Sequence, residues 1–281
     1  MSYRIVQSKQ NARLKDLRKA LSHPGRGSRS LAGIEGPNLL AEALGAGLSI
    51  NCIFAAQGAE DLLEALPISP ETEILLLPRD LLDSVLATET PQSVAALVEP
   101  PTWSWSDLLV KESEKAPLIV VLAGLQDPGN LGTILRSAEA FGASGIVSLP
   151  GTVSPWNPKA VRASAGSLFR LPLVATTAEE CFSQLRASKI RILTTAVRDA
   201  SLAHSTDLTS PTALIIGNEG NGVPPELAAL ADAAITISCP GPVESLNASV
   251  AAAVLLYEAS RQRSASYPSA NLPTRNPAKR G

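Results

Sequence analysis

Residues 118–149 read LIVVLAGLQDPGNLGTILRSAEAFGASGIVSL, and their apolar pattern is the strongest indication of fold in the chain. The run at 118–124 is almost wholly apolar, which predicts a strand that is buried on both faces of a sheet. A helix is predicted from Asn130 to Phe141, because Gly142 is a typical helix stop. A second apolar run at 146–149 predicts the next strand. Strand, helix and strand in this order indicate a parallel βαβ unit.

The same alternation extends in both directions. Downstream it predicts strands at 171–174, 190–197, 213–217 and 234–237, and helices at 158–168, 178–187, 224–231 and 245–263. Upstream it predicts helices at 8–21, 37–45, 60–66 and 78–86, with strands at 30–36, 50–54, 73–77 and 94–98. We therefore predict an α/β protein with four parts: a small α/β domain at 1–98, a linker at 99–116, a domain with a mostly parallel sheet at 117–263 and a disordered tail at 264–281.

Composition excludes several classes of protein. The 281 residues are 45% hydrophobic and 18% charged, which is enough for a sizeable core and too apolar for a disordered chain. No run of about 18 apolar residues occurs, so no membrane span is expected. The polar, basic N-terminus does not resemble a secretory signal, and we expect a cytoplasmic protein. Three widely spaced cysteines and two histidines argue against a disulfide framework and against a metal site.

Basic residues are concentrated at the two ends of the chain. Residues 1–36 contain eight Lys or Arg and two acidic residues, 259–281 contain five and none, and 37–258 contain 11 and 24. A basic cluster that includes Lys9, Arg13 and Arg29 is a reasonable footprint for RNA. An ordinary solvated surface remains an equal alternative for that cluster, and we favour the solvated interpretation for the tail.

Three junctions between a predicted strand and a predicted helix carry residues suited to chemistry. In the first, 126–136, Asn130 is predicted to cap the helix and Arg136 to lie on an otherwise apolar face. Taken alone, this junction favours the interpretation in which Arg136 pairs with Glu139 or extends to the surface. The carboxyl edge of a parallel sheet is where α/β proteins bind ligands, so this junction is a candidate site.

The second junction, 216–224, contains three glycines, which permit close approach of a ligand to the backbone. It matches neither the GxGxxG nor the Walker pattern, and a plain turn is an equal alternative. In the third junction, 239–250, Ser245 and Asn247 are predicted in the first turn of a helix. The competing interpretation makes Ser245 a helix cap and leaves Asn247 solvated. The helix is predicted to bury Val250, Val254 and Leu255.

Together these junctions resemble a known family. The segments N-L-G-T-I-L-R, I-I-G-N-E-G-N-G-V and S-L-N-A-S-V-A-A-A-V-L-L-Y-E are similar to the three motifs of the SpoU/TrmH family of RNA ribose 2′-O-methyltransferases, over 117–262. The segments S-K-Q-N-A-R-L-K-D-L-R and G-I-E-G-P-N-L-L-A-E-A-L resemble the substrate-binding domain fused ahead of it, which is similar to small RNA-binding ribosomal proteins. The resemblance implies a SPOUT domain with a deep trefoil knot, and a homodimer with its site near the subunit interface.

The resemblance also implies the chemistry. S-adenosylmethionine (AdoMet) would donate the methyl group without a metal, and a ribose 2′-oxygen would attack it in line. The positions implied to hold AdoMet are Gly217, Asn218, Gly222, Ile237 and Leu246. The positions implied to act in catalysis are Asn130, Arg136, Glu219, Ser245 and Asn247. Family proposals make the arginine a base, but arginine stays protonated, so a clamp on phosphate and alkoxide is physically easier, with a phosphate oxygen or Glu219 accepting the proton.

Two alternative functions are consistent with some of these features. A non-catalytic RNA-binding protein that retains the SPOUT fold would bind RNA without binding AdoMet. A nicotinamide-dependent oxidoreductase is disfavoured because GxGxxG is missing. For the RNA substrate, rRNA is favoured over tRNA, and the sequence does not identify the target nucleotide.

Overall fold

The computed structural model describes residues 2–22, 31–86, 88, 90–109 and 116–265. Within them the strands are β1 (Tyr3–Ile5), β2 (Ala32–Glu35), β3 (Ile50–Ala56), β4 (Glu73–Leu77), β5 (Val94–Val98), β6 (Leu118–Leu122), β7 (Gly145–Ser148), β8 (Leu173–Ala175), β9 (Arg191–Thr195), β10 (Ser201–Leu202), β11 (Thr212–Ile216) and β12 (Ala233–Thr236). The helices are α1 (Ala12–Ser22), α2 (Pro37–Gly45), α3 (Asp61–Glu64), α4 (Arg79–Asp83), α5 (Pro128–Ala140), α6 (Pro158–Ser164), α7 (Ser167–Arg170), α8 (Ala178–Ala187), α9 (Pro225–Ala228) and α10 (Ala248–Ala265).

The N-terminal sheet has five strands in the order β1-β4-β3-β5-β2. Strand β5 runs antiparallel to β2 and β3, whereas β1 and β3 run parallel to β4. Helices α1 and α4 bury one face of the sheet through Leu14, Leu17 and Leu81. The alternating pattern of residues 1–98 therefore does correspond to α/β structure, although the short edge strand β1 was not predicted.

The second sheet has seven strands in the order β10-β12-β9-β11-β6-β7-β8, and every pair runs parallel. This confirms the predicted α/β fold with a parallel sheet. Helices α5, α6, α7 and α10 contribute side chains to the apolar cluster on one face, and α8 packs on the other. Because all strands point the same way, the loops after β6, β9, β11 and β12 meet at one edge.

The two sheets share one apolar cluster, which includes Ile34 of β2 and Leu135 of α5. At its border Arg170 forms ion pairs with Glu42 of α2 and with Glu139 of α5. The pairing of Arg136 with Glu139 that the sequence allowed is therefore wrong, because Arg170 occupies that carboxylate. The ion pair and the shared cluster join the two halves of the chain.

The predicted linker, 99–116, contains structure of its own. A short 3₁₀ helix spans Trp105–Leu108 and begins with a capping box between Ser104 and Asp107. Leu108 is fully buried and packs in the cluster that contains Ile119. Part of this segment is therefore attached to the second sheet.

Several predicted helices differ in length from the observed ones. The helix predicted at 8–21 begins at Ala12, because the Asn11 side chain accepts a hydrogen bond from the Arg13 amide. The helix predicted at 158–168 is divided where Ala165 adopts a left-handed conformation with φ 48°. The helix predicted to end at 263 continues to Ala265, and residues 266–281 of the predicted tail, like His23 and Arg29, lie outside the described residues.

The end of α10 is fixed by a buried arginine. The guanidinium of Arg263 donates to the carbonyls of Leu208, Ala116, Pro117 and Ser210. These acceptors come from the start of the second sheet and from the loop before β11. The arginine therefore holds α10 against both segments, with the start of the helix at the ligand edge of the sheet.

Candidate active site

A cavity of about 440 Å³ opens at the carboxyl ends of β9, β11 and β12. Its volume lies within the range of small-molecule sites. One wall is the loop that follows β11, a second is the loop between β12 and α10, and the third is the buried side of α10 at Ala251 and Leu255. The cavity lining includes the predicted cofactor residues Gly217, Asn218, Gly222, Ile237 and Leu246, and the predicted catalytic residues Glu219 and Ser245.

The loop after β11 is a tight backbone turn. Asn218 and Gly222 exchange two backbone hydrogen bonds of 2.9 Å, and Gly222 has φ 68°. The Asn218 side chain accepts from the Gly220 amide at 2.8 Å and donates to the Gly124 carbonyl at 2.9 Å. A Cβ atom on Gly217 would lie 2.1 Å from the Gly222 carbonyl carbon. Backbone alone therefore fits at this point of the cavity wall.

Glu219 joins this loop to the first junction. Its carboxylate accepts hydrogen bonds from the amides of Gln126 (3.2 Å) and Asp127 (3.0 Å) and from Asn130 Nδ2 (2.9 Å). Partial burial acts to raise the pKa of Glu219, but these hydrogen bonds outweigh it and the pKa is lowered. The carboxylate is therefore ionised at neutral pH and is a weak base.

The helix cap at the first junction is Asp127, and the prediction that Asn130 caps the helix is wrong. Asp127 Oδ1 accepts from the Asn130 amide at 2.8 Å, so α5 begins at Pro128. The second carboxylate oxygen binds Lys159 Nζ at 2.8 Å. The Lys159 hydrogen bond, followed by the Asn130 amide, lowers the pKa of Asp127. Because Asp127 takes the capping role, the Asn130 side chain is available to Glu219.

The third junction also differs from prediction. Helix α10 begins at Ala248, and Asn247 Oδ1 accepts from the Ser249 amide at 2.8 Å and from Ser249 Oγ at 2.7 Å. Asn247 therefore caps the helix, and the interpretation with Ser245 as the cap is wrong. Ser245 precedes the helix, is exposed and lines the cavity.

Arg136 does not lie in this cavity. Leu131, Ile134 and Leu135 are buried, whereas Arg136 is exposed on another side of α5. Within the described part of the chain its side chain has no ion pair and no hydrogen bond. The predicted placement on an apolar face is therefore wrong, and one copy of the chain does not bring Arg136 to the cavity.

Two of the residues predicted to be buried in α10 form a surface patch instead. Val250 and Val254 are 47% and 39% exposed, while Leu255 is buried as predicted. With Tyr257 of α10 and with Thr133 and Phe141 they line a shallow depression of about 300 Å³, which we call the α5/α10 patch. The helical period explains the error, since positions 250, 254 and 257 share a side of α10 that faces away from the core.

Sequence reasoning missed several residues of the cavity. Thr195 is the last residue of β9 and Val197 follows the strand, and Cys239, Val243 and Glu244 belong to the loop before α10. The predicted strand at 190–197 was the available signal, because its carboxyl end must border the same edge. Among the described residues, no group of three or more His, Cys, Asp or Glu side chains is arranged to hold a metal ion. No helix in the described ranges is long and apolar enough to cross a membrane.

These observations define a class of protein: an α/β protein of two sheets with a small-molecule site at the carboxyl edge of the parallel one. The model of the SpoU rRNA Methylase family matches residues 117–257, and that of the RNA 2′-O ribose methyltransferase substrate-binding domain matches 34–104. The 23S rRNA (guanosine(2553)-2′-O)-methyltransferase RlmP of Bacillus subtilis (strain 168) is 31% identical over 254 residues, which is 90% of this chain and 97% of that protein.

The similar solved structures are also methyltransferases. AviRb of Streptomyces viridochromogenes, a SpoU methyltransferase in complex with AdoMet, has a TM-score of 0.79 at 30% identity and covers 90% of this chain and 98% of its own. An AdoMet-bound rRNA methyltransferase of Sinorhizobium meliloti has a TM-score of 0.80 at 30% identity, covering 92% and 98%. The chain belongs to the SpoU rRNA methylase family. It is an AdoMet-dependent RNA 2′-O-methyltransferase.

A first expected result concerns Glu219. Replacement by glutamine removes the negative charge and puts an NH₂ group, which cannot accept a hydrogen bond, next to the three groups that donate to Glu219. We therefore expect methyl transfer to fall at least about tenfold. Stability should fall by about 1 kcal/mol, a small value because the site is exposed. Because the pKa of Glu219 is lowered in the folded state, the pH changes the difference in free energy of unfolding between the wild type and Glu219→Gln. This difference should be constant above about pH 5 and decrease as the pH falls below 4.5. Denaturant unfolding between pH 3 and 7 measures this, and a pH-independent difference would contradict it.

Proposed function

We propose that this enzyme methylates a ribose 2′-hydroxyl of rRNA, with AdoMet bound in the 440 Å³ cavity. One observation carries the proposal: the Glu219 carboxylate connects the cavity loop to Asn130 and Asp127 of the first junction. A donor site and a substrate-orienting helix are thereby held in one rigid arrangement. The name of the B. subtilis relative, a 23S rRNA methyltransferase, supports rRNA as the substrate.

In this proposal the cavity loops hold AdoMet through their backbones. Gly217, Asn218 and Gly222 lie in the turn after β11, and Ile237 and Leu246 lie in the loop before α10. The fit rests on Gly217, where a side chain would collide with Gly222. When bound, AdoMet supplies an electrophilic methyl group on a sulfonium. The chain's own task is to align the 2′-oxygen with that methyl and to exclude water.

The catalytic roles follow from the contacts. Asn130 and Glu219 brace the loops on either side of the methyl-transfer position, and Asn247 fixes the start of α10 beside Ser245. Because Glu219 has a lowered pKa and three donors, it serves to position rather than to accept the proton. Arg136 stabilises the developing alkoxide and a neighbouring phosphate, and a phosphate oxygen accepts the proton.

We also infer a homodimer. The α5/α10 patch exposes valine and tyrosine side chains, and the half-buried Phe141 meets Tyr257 edge to face at 5.8 Å. Arg136 lies three residues from Thr133 of the patch, at its border on α5. A second copy covering the patch would bring Arg136 toward the partner's surface. This accounts for a catalytic arginine that its own cavity does not contain.

The dimer is tested by placing a charge in the patch. Val254→Asp should yield a monomer in analytical ultracentrifugation and abolish methyl transfer, because a buried unpaired carboxylate is strongly unfavourable at an interface. The control is Leu62→Asp, which alters a similarly exposed apolar residue of α3. A dimeric Val254→Asp variant would place the interface elsewhere.

The remaining features are inferred from family membership. The division at 99–116 separates a small domain that contributes to RNA recognition, similar to small ribosomal proteins, from the SPOUT domain; the match of residues 34–104 to a substrate-binding model supports this. Family membership also supports a deep trefoil knot in 117–263. We also place the enzyme in the cytoplasm.

The function is tested with tritiated AdoMet and RNA transcribed in vitro. Unmodified 23S rRNA should accept label, and alkaline hydrolysis should leave that label in dinucleotides, because a 2′-O-methyl group blocks cleavage. Transfer RNA should accept none. Binding of RNA without binding of AdoMet, and without transfer to any RNA, would favour the non-catalytic alternative.

A further inference from the structure

Lys159 of α6, which lies outside the three family motifs, reaches the first junction. Helix α6 follows the loop after the neighbouring strand β7. Along the carboxyl edge of the sheet the order is β12, β9, β11, β6, β7, so the cavity lies on one side of the first junction and the loop after β7 lies on the other. That loop is fixed to the first junction: the Val153 amide donates to the Leu125 carbonyl at 2.8 Å, and Thr152 Oγ1 accepts from the Gly124 amide. It leads directly into α6, which carries Lys159.

The backbone of Lys159 is held firmly in this position. Asn157 caps α6 by accepting from the Lys159 amide at 2.9 Å, and Trp156 stacks on Phe169 with ring centroids 6.0 Å apart. Helix α6 also packs directly on α5 at Gly132, where a Cβ atom would lie 2.4 Å from the Ala160 carbonyl oxygen. The close packing fixes where the lysine side chain begins.

The ammonium of Lys159 ends next to the catalytic network. Lys159 Nζ lies 2.8 Å from Asp127 Oδ2, and the amide of the same aspartate donates to Glu219 at 3.0 Å. A single residue therefore separates Lys159 from the carboxylate that braces the cavity. The lysine side chain is 57% exposed, and an ammonium has three donors, of which Asp127 uses one.

Asp127 does not need this lysine for its structural role. Its Oδ1 atom caps α5 through the Asn130 amide, whereas Lys159 binds the other oxygen. An exposed ion pair of this kind contributes little to stability. Arg162 lies three residues further on α6, is also exposed and has no ion pair within the described ranges. Two exposed cations thus lie on α6, and one of them, Lys159, contacts the first junction.

We propose that Lys159 binds a phosphate group of the RNA strand next to the ribose that is methylated. The proposal rests on the proposed function, since it places the RNA backbone along the edge from the cavity to α6. A phosphate oxygen accepts from one of the two ammonium donors that Asp127 leaves open, and Asp127 Oδ1 continues to cap α5. Lys159 is thereby a positioning residue that sets the register of the strand.

Arg13 of the basic cluster near the N-terminus is less available by comparison. Arg13 is bound to Glu73 at 2.9 Å and to Asn51 at 2.9 Å, and Glu73 also attracts Arg4 at 3.7 Å. A phosphate would therefore have to compete with two close partners for Arg13. Lys159 has one exposed partner and lies at the site itself.

The test measures RNA binding as a function of salt for the full-length enzyme, with in-vitro-transcribed 23S rRNA as the probe. For Lys159→Gln we expect about a tenfold higher RNA Kd at low salt and a log Kd against log salt slope shallower by about 0.7, the value for one phosphate contact on a single strand. The conservative Lys159→Arg variant should retain the slope. AdoMet affinity and melting temperature should stay at wild-type values. The matched control is Lys189→Gln, an exposed lysine that precedes β9 at the opposite edge of the sheet.

An unchanged slope in Lys159→Gln would overturn the proposal and leave Lys159 as a counter-ion of Asp127. A lowered melting temperature or weakened AdoMet binding, together with an unchanged slope, would also overturn the proposal. Failure of the proposed function is a separate result, because it appears in the wild type as RNA binding without methyl transfer. If the wild type methylates rRNA and the slope of Lys159→Gln is unchanged, only the role of Lys159 fails.

Discussion

Arg136→Ala should reduce methyl transfer about 1,000-fold while AdoMet binding stays within about twofold of the wild type. The side chain is exposed on α5 and forms no ion pair or hydrogen bond within the described residues, so we expect its removal to leave the fold intact. What is lost is the positive charge that stabilises the alkoxide as the 2′-oxygen attacks. Because the arginine lies outside the donor cavity, the effect should fall on turnover and not on cofactor affinity.

Single-turnover transfer from tritiated AdoMet and calorimetric AdoMet binding separate the two effects. Arg191→Ala, at the start of β9 and the opposite edge of the sheet, is the control and should behave as the wild type. Retained turnover in Arg136→Ala would remove this residue from the mechanism. A large loss of AdoMet affinity would instead mean that Arg136 acts through the donor site.

Gly217→Ala should abolish AdoMet binding. The added methyl group would lie 2.1 Å from the Gly222 carbonyl carbon and 2.2 Å from the Val223 amide nitrogen, both of them backbone atoms. Such contacts cannot be relieved by rotating a side chain, so the turn formed by Asn218 and Gly222 must open. We expect at least a 100-fold loss of affinity, since the turn forms one wall of the cavity and positions Glu219.

The loss is measured by the thermal shift that saturating AdoMet produces, which should be several degrees in the wild type and absent in Gly217→Ala. The control is Gly45→Ala at the end of α2, where an added Cβ meets nothing within 4 Å. Circular dichroism before ligand addition shows whether the variant folds. Normal AdoMet affinity in a folded Gly217→Ala variant would contradict the placement of the donor.

The fold was predictable wherever a strong local signal marked both ends of an element. The helix at 37–45 begins with a proline and ends with a glycine, and the strand at 73–77 is a short apolar run; both have their predicted bounds. Strands β1 and β10 have three and two residues, which is too short for a periodic pattern to appear. Where several polar residues precede a helix, the observed first residue differs from the predicted one, because any of those polar residues can cap the helix.

The candidate site was predictable as a set of junctions but not as a set of contacts. Parallel strands bring their carboxyl ends together, which explains why Gly217, Ile237 and Ser245 line one cavity. The sequence could not show that Asp127 caps α5 and leaves Asn130 to bind Glu219, since both residues are good caps. Nor could it show that Val254 faces outward, because the apolar residues of α10 extend around more than one side of the helix.

The most direct measurement of the central claim is a map of ribose methylation in total cellular RNA, with and without the gene. We expect one 2′-O-methyl group to disappear from rRNA when the gene is disrupted, to return with the wild-type gene and to stay absent with Arg136→Ala. If the parent strain, the disrupted strain and both complemented strains had the same methylation map across rRNA and tRNA, the result would contradict the assignment of this cavity and its arginine to RNA methyl transfer.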